Sequence, residues 1–278
     1  MSQVVLQDVE ASEQGLAIRQ GAAPDRVVSH SDPEMRHGRK SASRRFDGHK
    51  LDVVIDEASE LVLGVEVRAG NAGDGEGAAP LLSQVKTTEG IEVETLLADM
   101  AYSDGDVREA IEARGTELVA KVPPVTNSGR FPKTDFTIDL TVGTVTCPAG
   151  QTTLRPGGPR TTRAGRPPVF YFDPRTCEIC PLRERCTSKG RRTIMVGRHH
   201  KRIEAARAAQ AEPETKALLR RRAKVERKID HLQDLGMRKA RYRCRRRTRL
   251  QALLAATVAN LKRLAVLEVL QGAHLATA

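Results

Sequence analysis

Two carboxylates and four thiols are the side chains whose types and spacing could do chemistry: Asp99 and Glu226, and Cys147, Cys177, Cys180 and Cys186. Asp99 ends the apolar run ETLLAD, just before Tyr102 and the turn formers Ser103 to Gly105. Ligands and reactive groups collect at the carboxyl ends of strands in open α/β sheets, because the strand holds them rigidly as they leave the packed layer. A cap or turn role suits an Asp there equally well. Glu226 lies in LLRRRAKVERKIDHL, four residues after Arg222 and on the same helical face, among Arg220, Arg221, Lys224, Arg227 and Lys228. It is either a helix ion pair worth a few tenths of a kcal/mol or a carboxylate that meets phosphate through a divalent cation, as in two-metal phosphoryl transfer.

The cysteines suggest a different metal. Cys177-x2-Cys180 places two sulfurs within reach of one ion, and Cys147 in TCPAG with Cys186 can close a tetrahedral thiolate site. Structural zinc is the leading expectation, with unmetalled thiols and redox chemistry as alternatives. Disulfides do not suit a chain read as cytoplasmic. A loop-rich segment with few aromatics is expected to need such a staple in place of a core. Cys244 lies apart among arginines and is assigned no role.

With 39% apolar and 29% charged residues, the composition is that of a soluble globular protein. The stretch MSQVVLQDVEASEQG has neither a basic nor an apolar leader region, and every apolar run is interrupted short of a membrane span. A cytoplasmic protein with no membrane partner is expected. Fourteen Lys/Arg between Arg220 and Arg249 stand against Glu226, Asp230 and Asp234, so this window carries the whole formal charge of +11 and the remaining residues balance. Concentrated cations of this kind displace counterions from phosphates, which points to nucleic acid. A solvated helix face normally mixes both signs.

The elements that must position these groups follow from periodicity. Residues 1–45 read as an irregular N-terminal arm. Residues 46–122 read as an α/β core: a hairpin at 49–56 and 61–68, a helix at 77–88, the strand ending at Asp99, a helix at 104–114 and a strand at 117–123. Residues 123–200 form a Cys-rich insertion with short strands at 135–147, 168–172 and 192–196. Residues 201–278 are helical, with helices over 201–211, 213–235 and 241–271. In the last of these Leu250, Leu254, Val258, Leu261 and Ala265 recur at helical spacing and are expected to pack on the sheet.

Taken together, GHKLDVVID, GNAGD, LLADMAYSDGDVREAI, ELVAKVPP, FPKTDFTIDL, VTCPAGQTT, CPLRERC and RRRAKVERKIDHL resemble the catalytic domain of DDE transposases of the IS4/IS5-like group, most closely the IS1182-type family. The resemblance runs from about Asp32 to the last helix. It implies an RNase H-like α/β fold with a mixed sheet, and cutting and joining of DNA by two Mg²⁺ ions held by Asp, Asp and Glu. Asp99 matches the second Asp. Glu226 and Arg222 match the Glu and Arg of the signature Y-x2-R-x3-E-x6-K, while Leu219 and Gln233 depart from its Tyr and Lys. Lys50, Arg222, Arg238, Lys239, Arg241, Arg243, Arg245, Arg246 and Arg247 are expected to hold phosphates rather than read bases.

The family's first Asp lies on a first strand that this sequence does not contain. Asp52 and Asp56 are the nearby substitutes, although the family places no acid there. The resemblance therefore implies a domain lacking its first strand and inactive alone, completed by a complementing N-terminal segment or within a homo-oligomer. A catalytically silent, DNA-binding regulatory fragment is the alternative; a zinc-stapled interaction module would account for the cysteines but not for the charge window.

Overall fold

The computed structural model of the chain describes residues 7–12, 15–21, 23, 25–41, 43–154 and 167–276. The first 45 residues, expected to be irregular, contain three short strands among the described residues. β1 (Val9–Ser12) and β2 (Gly15–Ile18) form a hairpin, and β3 (Arg36–Arg39) pairs with the start of β4 (Arg45–Ile55). β3 reads RHGR and has no apolar period, so only its tertiary partner makes it a strand. Asp32, buried just before it, meets the His49 ring Nε2 at 3.1 Å and ties the segment to β4.

β4 and β5 (Val62–Ala69) form the expected hairpin, with Val53 opposite Val65. Its turn is closed by Asp56, which accepts from the Ser59 N–H at 2.7 Å and the Ser59 hydroxyl at 2.6 Å. Asp56 is therefore a turn residue. Helix α1 (Ala78–Glu89) follows, then β6 (Thr95–Ala98), α2 (Gly105–Glu112) and β7 (Glu117–Ala120), with β6 parallel to β7. The strands expected in one mixed sheet form two among the described residues: β3-β4-β5 and β6-β7. Helix α1 backs both. Its Leu81 and Val85 approach Gly64 of β5, where the missing side chain lets the helix close in, and its Ala78 and Leu82 pack with Ile111, Leu118 and Ala120.

The insertion has a core of its own, contrary to expectation. β8 (Thr137–Asp139), β9 (Thr144–Thr146) and β10 (Thr152–Leu154) form one antiparallel sheet, and β11 (Val169–Tyr171) pairs with β12 (Thr193–Met195). Phe136, Val145, Phe170, Phe172, Ile194 and Val196 are buried between them, with Cys147, Cys177 and Cys186 packed alongside. Four of the chain's five Phe serve this unit, Phe131 packing on the buried three, so a low overall aromatic content hides a local concentration. Two short helices, α3 (Pro174–Glu178) and α4 (Arg183–Cys186), carry three of the cysteines or flank them.

Beyond it, α5 (His200–Ala209), α6 (Pro213–Arg221) and α7 (Ala223–Leu232) lead to a wide turn, Gln233–Met237, where Gly236 takes φ +99° and ends the helix. The helix expected over 213–235 is thus broken at Arg222. The final helix, α8 (Arg245–Ala276), does pack on the sheet, but by a different face. Ala252 and Ala256 meet Val62, Val65 and Val67, and Ala255 and Ala259 meet Leu232. Leu250, Leu254, Val258 and Leu261 are exposed. Small side chains bring the helix axis close to β5, where Asn260 accepts from the Val62 N–H at 2.8 Å and donates to its C=O at 2.9 Å. Among the described residues no helix is long and apolar enough to cross a membrane.

Candidate active site

Asp99 stands immediately after β6, and its Oδ1 accepts from the Met100 N–H at 2.5 Å, which caps the turn that follows. Glu226 lies on the first turn of α7. Arg222, at the break between α6 and α7, joins them: its Nη2 donates to Glu226 Oε1 at 2.8 Å and its Nη1 lies 3.9 Å from Asp99 Oδ2. Arg222 keeps helical φ and ψ, so Glu226, four residues on, shares its helical face. Both carboxylates are largely open to solvent, at 61% and 59% exposure. Two exposed carboxylates sharing one cation offer hard oxygen donors, a set that fits a hard divalent cation once Arg222 gives way.

Asp52 is differently placed. Its carboxylate is 10% exposed and gripped at both oxygens by Arg68, with Nη2 to Oδ1 at 2.9 Å, while the Tyr102 hydroxyl donates to Oδ1 at 3.3 Å. Arg68 also donates to the C=O groups of Gly73 and Asp74, at 2.6 and 3.1 Å, at the approach to α1. Burial, with the Asp52 charge added, pushes the Tyr102 phenol well above its ordinary range. Asp52 is thus half of a buried ion pair.

The cations sort into two groups. Lys50, expected on phosphate, gives its ammonium to the Ala72 C=O at 2.7 Å and Asp74 at 2.5 Å. Arg221 and Lys224 close on Glu57, Arg249 pairs with Glu66 at 3.0 Å, and Lys228 is buried, which lowers its pKa. Arg238, Lys239, Arg241, Arg243, Arg246 and Arg247 are exposed and have no acidic partner among the described residues; Arg245 leans toward Glu34 at 3.6 Å. Buried Gln251 holds this loop on α8, accepting from the Arg241 N–H at 2.8 Å and donating to the C=O groups of Gly236 and Lys239 at 2.9 and 3.0 Å.

The four insertion cysteines line one cavity of about 290 Å³. Cys147 opens a tight turn, its C=O accepting from the Gly150 N–H at 2.8 Å, and the Cys180 N–H reaches the Cys177 C=O at 3.4 Å. Burial raises the Cys186 thiol, opposed by Arg192 and reinforced by the other three cysteines. The sulfurs do not close to the mutual spacing of Asp106, Glu109 and His199, whose ligand atoms all lie within 4.8 Å of one another. That trio, which the sequence did not suggest, already holds a cation: Arg198 Nη2 donates to Asp106 at 2.5 Å and Glu109 at 2.9 Å. With Arg202 on Glu112 at 2.7 Å it staples α5 to α2. Its only sequence signal is the i,i+3 spacing of the two acids; His199 arrives through the fold.

Comparison with curated proteins and with solved structures finds no match. The family model of the transposase DDE domain, however, matches residues 22–261. This span takes in both sheets, the insertion, the Arg222 junction and the start of α8, and the chain belongs to the transposase DDE domain family.

Proposed function

We propose that Asp99 and Glu226 are two of the metal-binding acids of an IS1182-type transposase domain within the IS4/IS5-like group. Membership of the family carries an RNase H-like α/β fold, DNA as the substrate class and divalent-metal chemistry. The observation that supports these two residues is the single guanidinium, Arg222, shared by acids from distant parts of the chain. Bound Mg²⁺ would activate a water, then a DNA 3′-hydroxyl, and stabilise the leaving oxygen of an in-line displacement. Before DNA arrives, Arg222 offsets the repulsion between the two carboxylates; on binding it turns to the phosphate backbone. The loop from Arg238 to Arg247 holds the duplex in register. Asp52, with both oxygens engaged, supplies no third ligand, so residues 1–278 alone do not nick plasmid DNA with Mg²⁺. Nicking by this chain that disappears in Asp52→Asn would make Asp52 the missing acid. The protein works in the cytoplasm.

A silent DNA-binding role is favoured by one observation, the six exposed cations of the basic loop that have no acidic partner among the described residues. In either role six unpaired cations meet phosphate. The logarithm of the binding constant for a random duplex should fall with the logarithm of salt at a slope near −5, from about 0.9 per phosphate. A slope shallower than about −2 would remove the loop from the interface.

The insertion is proposed to bind one structural Zn²⁺ through Cys147, Cys177, Cys180 and Cys186, the thiols closing on the ion as they deprotonate. Elemental analysis of protein purified without chelator should give about one zinc per chain, lost in Cys180→Ser. Because the insertion has its own apolar core, metal loss should loosen the cysteine turns while Phe170 and Ile194 stay packed. Absence of metal in the unaltered protein would leave four free thiols.

A further inference from the structure

The final helix, α8, carries a leucine seam on the side that faces away from its sheet. Ala252, Ala256 and Ala259 turn inward, and Leu261 follows Ala252 by nine residues, about two and a half turns, so it points the opposite way. Leu250, Leu254, Thr257, Leu261, Leu264 and Glu268 run along that outer side at alternating steps of four and three residues. This is the 3.5-residue repeat of two helices wound together, narrower than the stripe of a helix that only covers a core. The four leucines are 54%, 57%, 61% and 43% exposed. Thr257 closes its own hydroxyl on the Leu253 C=O at 2.9 Å, so it can enter an apolar seam without stranding a donor. Single exposed leucines are ordinary; four in one register are an interface pattern.

We infer that this seam joins two copies of the chain, their α8 helices packed antiparallel. The charges select both the partner and its direction. Antiparallel packing sets Leu254 of one copy against Leu264 of the other, and Leu261 against Thr257. It also carries exposed Glu268 to the start of the second copy's helix, where Arg246 and Arg247 are exposed with no acidic partner among the described residues. Parallel packing would stack Arg247 on Arg247 and Glu268 on Glu268, and would crowd the two loops from Arg238 to Arg247 at one end. Antiparallel packing parts those loops by on the order of 35 Å along the helix axes and leaves both open to phosphate. A helix from another protein would have to supply the same repeat with an acid placed opposite Arg247; a second copy carries both.

Sedimentation velocity of the nucleic-acid-free full chain over a concentration series is the test. A monomer–dimer equilibrium in the micromolar range is expected, as suits a short seam. Leu254→Asp combined with Leu261→Asp should weaken the dimer at least about 100-fold, because each copy would bring two charges into the seam. Glu268→Arg alone should weaken it, and adding Arg247→Glu should restore it, since the swapped charges meet again across the antiparallel pair. A chain still monomeric at about 100 µM overturns the inference, as does a dimer that survives both aspartates. A dimer indifferent to Glu268→Arg overturns the antiparallel direction. The urea midpoint of the dilute monomer should be the same with and without the two aspartates. A lower midpoint would mean that the stripe is already covered within one chain, which also overturns the inference.

Discussion

Replacing Arg68 with alanine lowers the unfolding free energy by about 3–5 kcal/mol, the cost of stranding one member of a buried ion pair. Asp52 and Arg68 are 10% and 12% exposed, so water cannot take over the lost contact. The guanidinium also meets the C=O groups of Gly73 and Asp74, and its removal unpins the turn that leads into α1. Because α1 backs both sheets, the whole core feels the change. Lysine should not rescue it, since an ammonium cannot grip both Asp52 oxygens in a planar fork. Asp52→Leu with Arg68→Leu should recover much of the loss, because no charge is left unpaired. Urea midpoints at constant m-value measure all three; a loss below about 1 kcal/mol for Arg68→Ala would mean that the pair does not hold the core.

If Asp99 and Glu226 hold the metal as proposed, Asp99→Asn and Glu226→Gln should each lower the Mg²⁺-dependent DNA cleavage of the active transposase by about 100- to 1,000-fold, the scale of losing one preorganised charge at a reacting centre. The double variant should lose little more, because groups that act as a unit are not additive. Stability should hardly change: both side chains are exposed, and the bonds they make to Arg222 and Met100 are local. Single-turnover cleavage beside urea melts separates the effects. Cleavage retained in both variants would remove these acids from the chemistry.

Much of the chain was legible where local rules suffice. The hairpin of β4 and β5, the strand before Asp99 and the helix after it follow from alternation and turn chemistry, and each lies within a few residues of its expected place. Failures came where tertiary contact overrides local preference. Three leucines and Val258 promised the buried face of α8, yet alanines take it, since closeness to β5 and the Asn260 bonds to Val62 outweigh side-chain area. β3 and the Asp106–Glu109–His199 trio depend on partners far along the chain, which periodicity cannot see. Of the site, Arg222, Asp99 and Glu226 do come together, and Lys50 does not join them. A Lys six residues before the turn residue Asp56 reads the same in sequence whether it ends on phosphate or, as here, on Ala72 and Asp74.

Two sets of carboxylates could compete for a divalent ion, and electron paramagnetic resonance of Mn²⁺ bound to residues 1–278 in the presence of duplex DNA tells them apart. The account predicts one weakly held Mn²⁺ that is lost in Asp99→Asn and in Glu226→Gln and kept when Asp106 and Glu109 are replaced by their amides. Binding that survives Asp99→Asn and Glu226→Gln but vanishes in the Asp106→Asn, Glu109→Gln protein would contradict it and move the metal to the junction of α2 and α5.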